Sequence, residues 1–134
     1  MKMKEVLSRK EQKEYLYDKI GNPVKFTYPE GDHLIGELMD RYVMFESEDD
    51  LVTYWFVIDL IKFVDYDEKW IRVSYYRYKK KQRKWVFAGQ TSISNTINYL
   101  ARLFAKAVKE KKWVRPLFKE VCKQCEKELN VVNV

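Results

Sequence analysis

Apolar residues first recur at helical spacing near the start of the chain, where Tyr15, Leu16 and Ile20 form one side of an otherwise charged segment. Just before them, Ser8 to Glu11 spells Ser-x-x-Glu, a pair that can satisfy two free backbone donors at a helix start. Gly21-Asn22-Pro23 supplies the stop, because glycine accepts a left-handed cap and proline cannot continue the helix. The pattern predicts a helix over 9–20. From Val24 the period falls to two: Val24, Phe26 and Tyr28 alternate with Lys25 and Thr27, as in a short strand. Pro29-Glu30-Gly31-Asp32 reads as a turn, and His33 to Phe45 as a second strand with Gly36 as a bend or bulge. Residues 46–50 (ESEDD) read as an acidic loop. Residues 52–64 are aromatic and β-branched, which predicts a strand buried on both faces over part of its length. Residues 70–79 and 84–89 flank Lys80-Lys81-Gln82-Arg83 and predict a hairpin with a basic tip.

The period then returns to that of a helix. Ile97, Leu100, Ala101, Phe104, Ala105 and Val108 form an apolar stripe that predicts a helix over 95–112, capped by Ser94. Lys109, Lys111 and Lys112 fall in its last turn, where the helix dipole favours cations. Pro116 suits the first turn of another helix over 116–129, with Leu117, Val121, Cys122, Cys125 and Leu129 on its inner side. The predicted architecture is a single α+β domain over 1–134. Its antiparallel five-stranded meander, a curved sheet or small partly open barrel, carries one N-terminal and two C-terminal helices.

Composition narrows the class. Gly and Pro together make up 7 of 134 residues, which excludes low-complexity and collagen-like chains, and 21 aromatic residues argue against intrinsic disorder. Asp59 interrupts the apolar run that starts at Leu51, far short of the about 18 residues that span a bilayer, and the N-terminal segment is charged throughout. These features predict a soluble, cytoplasmic protein without a membrane partner.

The net charge of +6 conceals a strong asymmetry. Residues 1–25 carry a net +3, residues 26–68 a net −10 and residues 69–134 a net +13. Such polarity bears on partners and association rather than on fold.

Several chemistries are poorly supplied. His33, the only histidine, follows a turn and reads as a surface side chain, so a three-histidine metal site cannot form within the chain and a Ser-His-Asp triad would depend wholly on His33. Cys122 and Cys125 form Cys-x-x-Cys within a predicted helix. Without a second cysteine pair they read as packed thiols, the alternatives being half of a metal site shared between two copies or a disulfide. With four glycines, the chain has no Gly-rich phosphate loop and no cofactor is implied. Asp59, Asp65, Asp67 and Glu68 lie near Lys62 and Lys69, and Asp67-Glu68-Lys69 has the acidic-x-Lys spacing of many metal-dependent nucleases. Glu37 and Asp40 would be further carboxylates for such a site, the rival reading being a solvated acidic loop.

The densest patch is the ribbon from Arg72 to Trp85. Arg72, Arg77, Lys79, Lys80, Lys81, Arg83 and Lys84 displace counterions from phosphates, and Tyr75, Tyr76, Tyr78 and Trp85 offer rings on which unpaired bases stack. Strand alternation puts Ile71 and Val73 inward and leaves Arg72, Tyr76 and Tyr78 as an outward strip. The rival reading is a solvated hairpin whose lysines discourage edge pairing. Lys106, Lys109, Lys111, Lys112 and Arg115 would extend the basic surface.

The segment from Val24 to Leu38 resembles the first motif of Sm-like RNA-binding barrels, in which a helix precedes two strands joined by an acidic-Gly turn and followed by Gly-x-Leu. Gly31, Gly36 and Leu38 match, whereas the Asn after the second strand and the later Arg-Gly motif are absent. The resemblance implies a barrel-like sheet.

The leading functional expectation is a non-enzymatic module that binds DNA or RNA through Arg72, Tyr76, Arg77, Tyr78, Lys79, Lys80, Lys81, Arg83 and Lys84. One alternative is a protein-interaction or self-assembly module, in which the acidic segment of one copy meets the basic segment of another. The other is a Mg²⁺-dependent nuclease using Asp59, Asp67 and Lys69.

Overall fold

Ser8 opens the first helix, α1 (Arg9–Tyr17), through the predicted reciprocal cap. Its hydroxyl accepts from the Glu11 backbone N–H at 3.1 Å, and its own N–H donates to the Glu11 carboxylate at 2.9 Å. That second bond holds the Glu11 carboxyl below its ordinary value. The computed structural model describes residues 5–27, 31, 33–65, 67, 69–88 and 95–132. The helix ends three residues earlier than its apolar spacing predicts, and residues 18–21 form turns that reach Gly21 at φ +96°.

Five strands follow: β1 (Pro23–Thr27), β2 (His33–Glu48), β3 (Val52–Phe63), β4 (Lys69–Lys79) and β5 (Lys84–Phe87). They pair antiparallel in chain order as a curled half-barrel sheet, as the meander pattern predicts. Of the turn predicted over residues 29–32, Gly31 is described and adopts φ +94°, while Pro29, Glu30 and Asp32 lie outside the described residues, as does Tyr28. The predicted acidic loop shrinks, since β2 continues to Glu48. Asp49 then closes the β2–β3 turn by accepting from the Leu51 and Val52 N–H groups, both at 2.7 Å.

Curvature comes from β2, where the register slips between Leu38 and Asp40 and again between Phe45 and Ser47. Each extra residue bends the strand and increases its twist. Gly36 has another role. It pairs regularly with Val24 and Phe63, and a Cβ there would lie 3.0 Å from Ile61 Cγ2, Lys62 O and Phe63 Cδ1. Strand β3 approaches this glycine too closely for a side chain.

The curl folds α1 against one face of the sheet. Leu16, Val43, Trp55 and Val57 form a buried cluster, onto which Tyr15, Tyr17, Phe45, Tyr76 and Trp85 pack. A second cluster of Leu38, Ile61 and Phe63 gathers Ile20, Val24, Phe26 and Leu34. Burying one Leu such as Leu16 contributes roughly 2 kcal/mol. Gln12 is also buried, but its amide is satisfied: it accepts from Trp55 Nε1 at 2.8 Å and donates to the Leu7 carbonyl at 3.0 Å. Every residue from Trp55 to Ile61 is buried, as the continuous apolar run of β3 predicts.

The chain forms two compact units, residues 1–94 and 95–134. In the second, Thr96 caps α2 (Ile97–Glu110) by accepting from the Tyr99 N–H at 3.1 Å; the predicted cap, Ser94, and the strand end Gly89 lie outside the described residues. The buried residues of α2 are Leu103 and Ala107. Of the predicted stripe, Leu100, Phe104 and Val108 are half-buried whereas Ile97, Ala101 and Ala105 are exposed, so the covered face is turned toward the side that carries Leu103 and Ala107. A 3-10 turn (Lys112–Val114) leads into α3 (Arg115–Val132), with the Phe104 and Phe118 rings 5.3 Å apart. Leu117, Val121, Cys122, Cys125 and Leu129 are exposed on α3, contrary to the inner side that their spacing predicts. Periodicity identifies a face that could be covered; it does not supply the cover. Among the described residues, no helix is long and apolar enough to cross a membrane.

Candidate nucleic-acid interface

Strands β4 and β5 form the predicted hairpin, with Tyr76 opposite Phe87, Tyr78 opposite Trp85 and Lys79 opposite Lys84. Residues 80–83 make the turn, and Arg83 adopts a left-handed φ of 50° to close it. Alternation separates three of the ribbon's four rings from the cations near the turn, while Tyr75 shares the face of Arg77 and Lys79 and packs edge-on against Phe56. Arg77, Lys79 and Lys84 share one face, while Tyr76, Tyr78 and Trp85 share the face that packs on α1.

The expectation of an outward strip of Arg72, Tyr76 and Tyr78 is therefore corrected. Tyr78 is 1% exposed, and its hydroxyl accepts from the Leu7 N–H at 3.1 Å. The Tyr76 hydroxyl accepts from Arg41 Nη2 at 3.0 Å. Arg72 turns toward Asp59, donating from Nη2 at 2.9 Å and from Nε at 3.3 Å. The reason is the curl: the face that alternation leaves polar at the level of one strand becomes the concave face of the sheet.

The turn keeps its charge. Lys80 is held by the Glu48 carboxylate at 2.6 Å and the Asp49 carbonyl at 2.7 Å. That bond to Lys80, reinforced by Arg9, holds the Glu48 carboxyl below its ordinary value despite some burial. Among the described residues, Arg77, Lys79, Lys81, Arg83 and Lys84 have no ion-pair partner, and the Nε atoms of Arg77 and Arg83 have no acceptor. Five cations thus cluster at one end of the hairpin.

Beneath the concave face lies a feature that the ribbon motif does not reveal. Asp59, fully buried, receives Arg41 Nε on one carboxylate oxygen at 2.7 Å and both Arg41 Nη2 and Arg72 on the other. Arg41 also donates from Nη1 to the Leu16 carbonyl at 2.9 Å, satisfying a free acceptor at the end of α1. Burial disfavours its charge, but Asp59 and Tyr76 outweigh burial and raise its already high pKa further. The signal lay in the sequence: Asp59 is the only charge between Leu51 and Ile61, and a charge in a two-sided buried strand requires a partner.

This commitment separates the residues of the nuclease reading. Asp59 is enclosed by two guanidiniums. Lys69 pairs in register with Lys62, three positions along β3, and Asp67 lies exposed in the connecting loop. Glu68 lies outside the described residues, Glu37 pairs in register with Lys62, and Asp40 accepts from the Arg41 N–H. Among the described residues, no group of three or more His, Cys, Asp or Glu side chains could hold a metal ion. His33 is exposed at the start of β2, and Cys122 and Cys125 are exposed free thiols on α3. In the second unit, Lys106, Lys109 and Lys112 are exposed, whereas Arg115 donates to the Val108 and Lys109 carbonyls at the end of α2.

Comparison with known proteins finds no protein-family model, curated protein or solved structure that matches the chain.

Proposed function

We propose that the protein is a non-enzymatic nucleic-acid-binding module that engages phosphates through the end of the β4–β5 hairpin. The observation that carries this reading is the cluster of Arg77, Lys79, Lys81, Arg83 and Lys84, none of which has a carboxylate partner among the described residues. The surrounding unit is close to neutral: residues 1–94 carry 17 basic and 16 acidic side chains, a net +1. The positive potential is therefore local, which favours contact at one surface over diffuse attraction. Because Tyr76, Tyr78 and Trp85 face the other way and Tyr75 packs edge-on against Phe56, the turn reads backbone charge and not base identity. Binding through it is independent of sequence and strongly dependent on salt.

Fluorescence anisotropy of labelled single- and double-stranded oligonucleotides across a salt series tests this. Each lost phosphate contact reduces the slope of log K against log salt by about 0.7–0.9. A Lys79→Glu, Lys81→Glu, Lys84→Glu variant should therefore lose a slope of about 2 and bind at least tenfold more weakly. Unchanged affinity and slope in a variant with a wild-type melting temperature would exclude the hairpin as the contact surface.

A further inference from the structure

The curl that withdraws the ribbon's aromatic rings also creates a second place for a ligand. Strands β1 and β5 are the two edges of the sheet and do not pair with each other. Even so, the Arg72 guanidinium lies 5.4 Å from the Phe26 ring on β1 and 4.8 Å from the Phe87 ring on β5. The sheet has thus curled until one arginine bridges the seam where a barrel would close. A pocket of about 350 Å³ opens at this seam, lined by β1, β5, the end of α1 and the turn after it. Its volume lies in the range of about 300–1,000 Å³ typical of small-ligand sites.

The lining has a consistent chemistry. Lys19, within the short α1–β1 connection, and Lys25, on β1, both line this pocket, as does Arg72 from β4. Among the described residues, none that lines the pocket is Asp or Glu. Asp59, behind Arg72, already serves Arg41 as well, so this buried cluster sets two positive charges against one negative. A charge imbalance with low-dielectric walls focuses a positive potential on the pocket. The aromatic part is equally defined. Trp85 stacks on Tyr15 with ring centroids 4.9 Å apart and planes 4° from parallel, and Phe87 flanks Arg72. Both Arg72 and the indole are therefore set before any ligand arrives, which lowers the ordering cost of binding.

We propose that this pocket binds a single nucleotide unit, with its phosphate held by Lys19, Lys25 and Arg72 and its base against the Trp85 and Phe87 rings. Neither group suffices alone: the cations select the anion, and the rings select a flat apolar body. The nucleotide is either free or the 5′-phosphorylated end of a strand, sources with the same recognition chemistry. The site uses none of the five turn cations and so does not rest on the hairpin reading.

Titration calorimetry with the full chain tests the proposal, using AMP, adenosine, inorganic phosphate and a 5′-phosphorylated tetranucleotide. AMP should bind about tenfold or more tightly than adenosine or phosphate, each of which lacks one half of the recognition. Lys19→Glu with Lys25→Glu should weaken AMP by about tenfold or more. Asn22→Asp, which adds a carboxylate to the same lining without removing a lysine, should act in the same direction. The Lys79→Glu, Lys81→Glu, Lys84→Glu variant should bind AMP as wild type does, so a failure at the hairpin and a failure at the pocket are distinguishable. Tetranucleotide binding that exceeds AMP and weakens in the Lys19/Lys25 variant assigns the pocket to strand ends; AMP binding at least as tightly assigns it to free nucleotide. Equal affinity for AMP and adenosine, or binding of AMP and tetranucleotide unaffected by all pocket variants, would overturn the proposal.

Discussion

Asp59 illustrates how much one buried residue can organise. It joins β2 and β4 through Arg41 and Arg72, and Arg41 carries the link on to α1. Replacing such a network with apolar groups can be neutral, but removing one partner leaves a buried charge exposed to its own desolvation cost. Asp59→Asn preserves the shape of the side chain and leaves two guanidiniums without a counter-charge. Its expected cost is about 3–5 kcal/mol, read as a lower midpoint in chemical denaturation. A loss below about 1 kcal/mol would show that solvent, and not Asp59, stabilises the guanidiniums. Asp59 also shows how sequence reading can misassign a residue. Its charge in an apolar strand marked it as unusual, and among carboxylates it suggested a metal ligand. Only the register, which sets Arg72 directly opposite and Arg41 on the other flank, identifies its partners.

At the scale of elements, the cap of the first helix, the strand alternation and the hairpin turn were legible because each depends on residues close in the chain. Ser8 and Glu11 are three apart, and the turn of the β4–β5 hairpin spans residues 80–83. Bulges were less legible. Gly36 drew attention as the expected irregularity of β2 on composition alone, whereas the slips occur beside Met39 and Glu46, residues with no turn signal of their own. Gly36 instead marks a close approach of β3. Gly36→Ala should destabilise the sheet by about 1–3 kcal/mol through overpacking against Ile61 and Phe63. Thermal unfolding measures this directly, and an unchanged melting temperature would mean that β3 can yield by several tenths of an ångström at no cost.

At the scale of the whole molecule, the charge segments give way to charge pairs. Glu48 from the acidic segment meets Arg9 from the segment before it and Lys80 from the one after, and Asp59 meets Arg72. Part of the acidic middle is thereby engaged within the chain's own first unit. These contacts set a pH dependence. The Glu48 carboxyl is held below its ordinary value first by Lys80 and then by Arg9, so it binds protons less readily folded than unfolded. The stabilisation is present above the unfolded value and is lost as pH falls through the folded one. Because Glu48 is largely exposed, its contribution is a few tenths of a kcal/mol. Wild type should exceed Glu48→Gln in stability at pH 6, and the gap should close below about pH 4. Paired melting curves of the two proteins at pH 6 and pH 3 check the sign, and a gap that widened in acid would refute this account.

Sequence alone determined the features that neighbours along the chain dictate: five strands in antiparallel order, helices on both sides of them, a capped first helix and a basic hairpin turn. Local backbone preferences and the number of residues between complementary side chains are enough to set these. The tertiary structure decided which face of each element is inside. Alternation defines two faces of β4 but does not say which one the sheet will curl around, because curvature arises from bulges on β2 and contacts with α1. That decision turned Tyr76 and Tyr78 from expected base-stacking platforms into packing partners, and left Lys79 and Lys84 on the opposite face. It also brought Lys19, Lys25, Arg72 and Trp85 to one pocket, though they stand as far as 66 positions apart in the sequence.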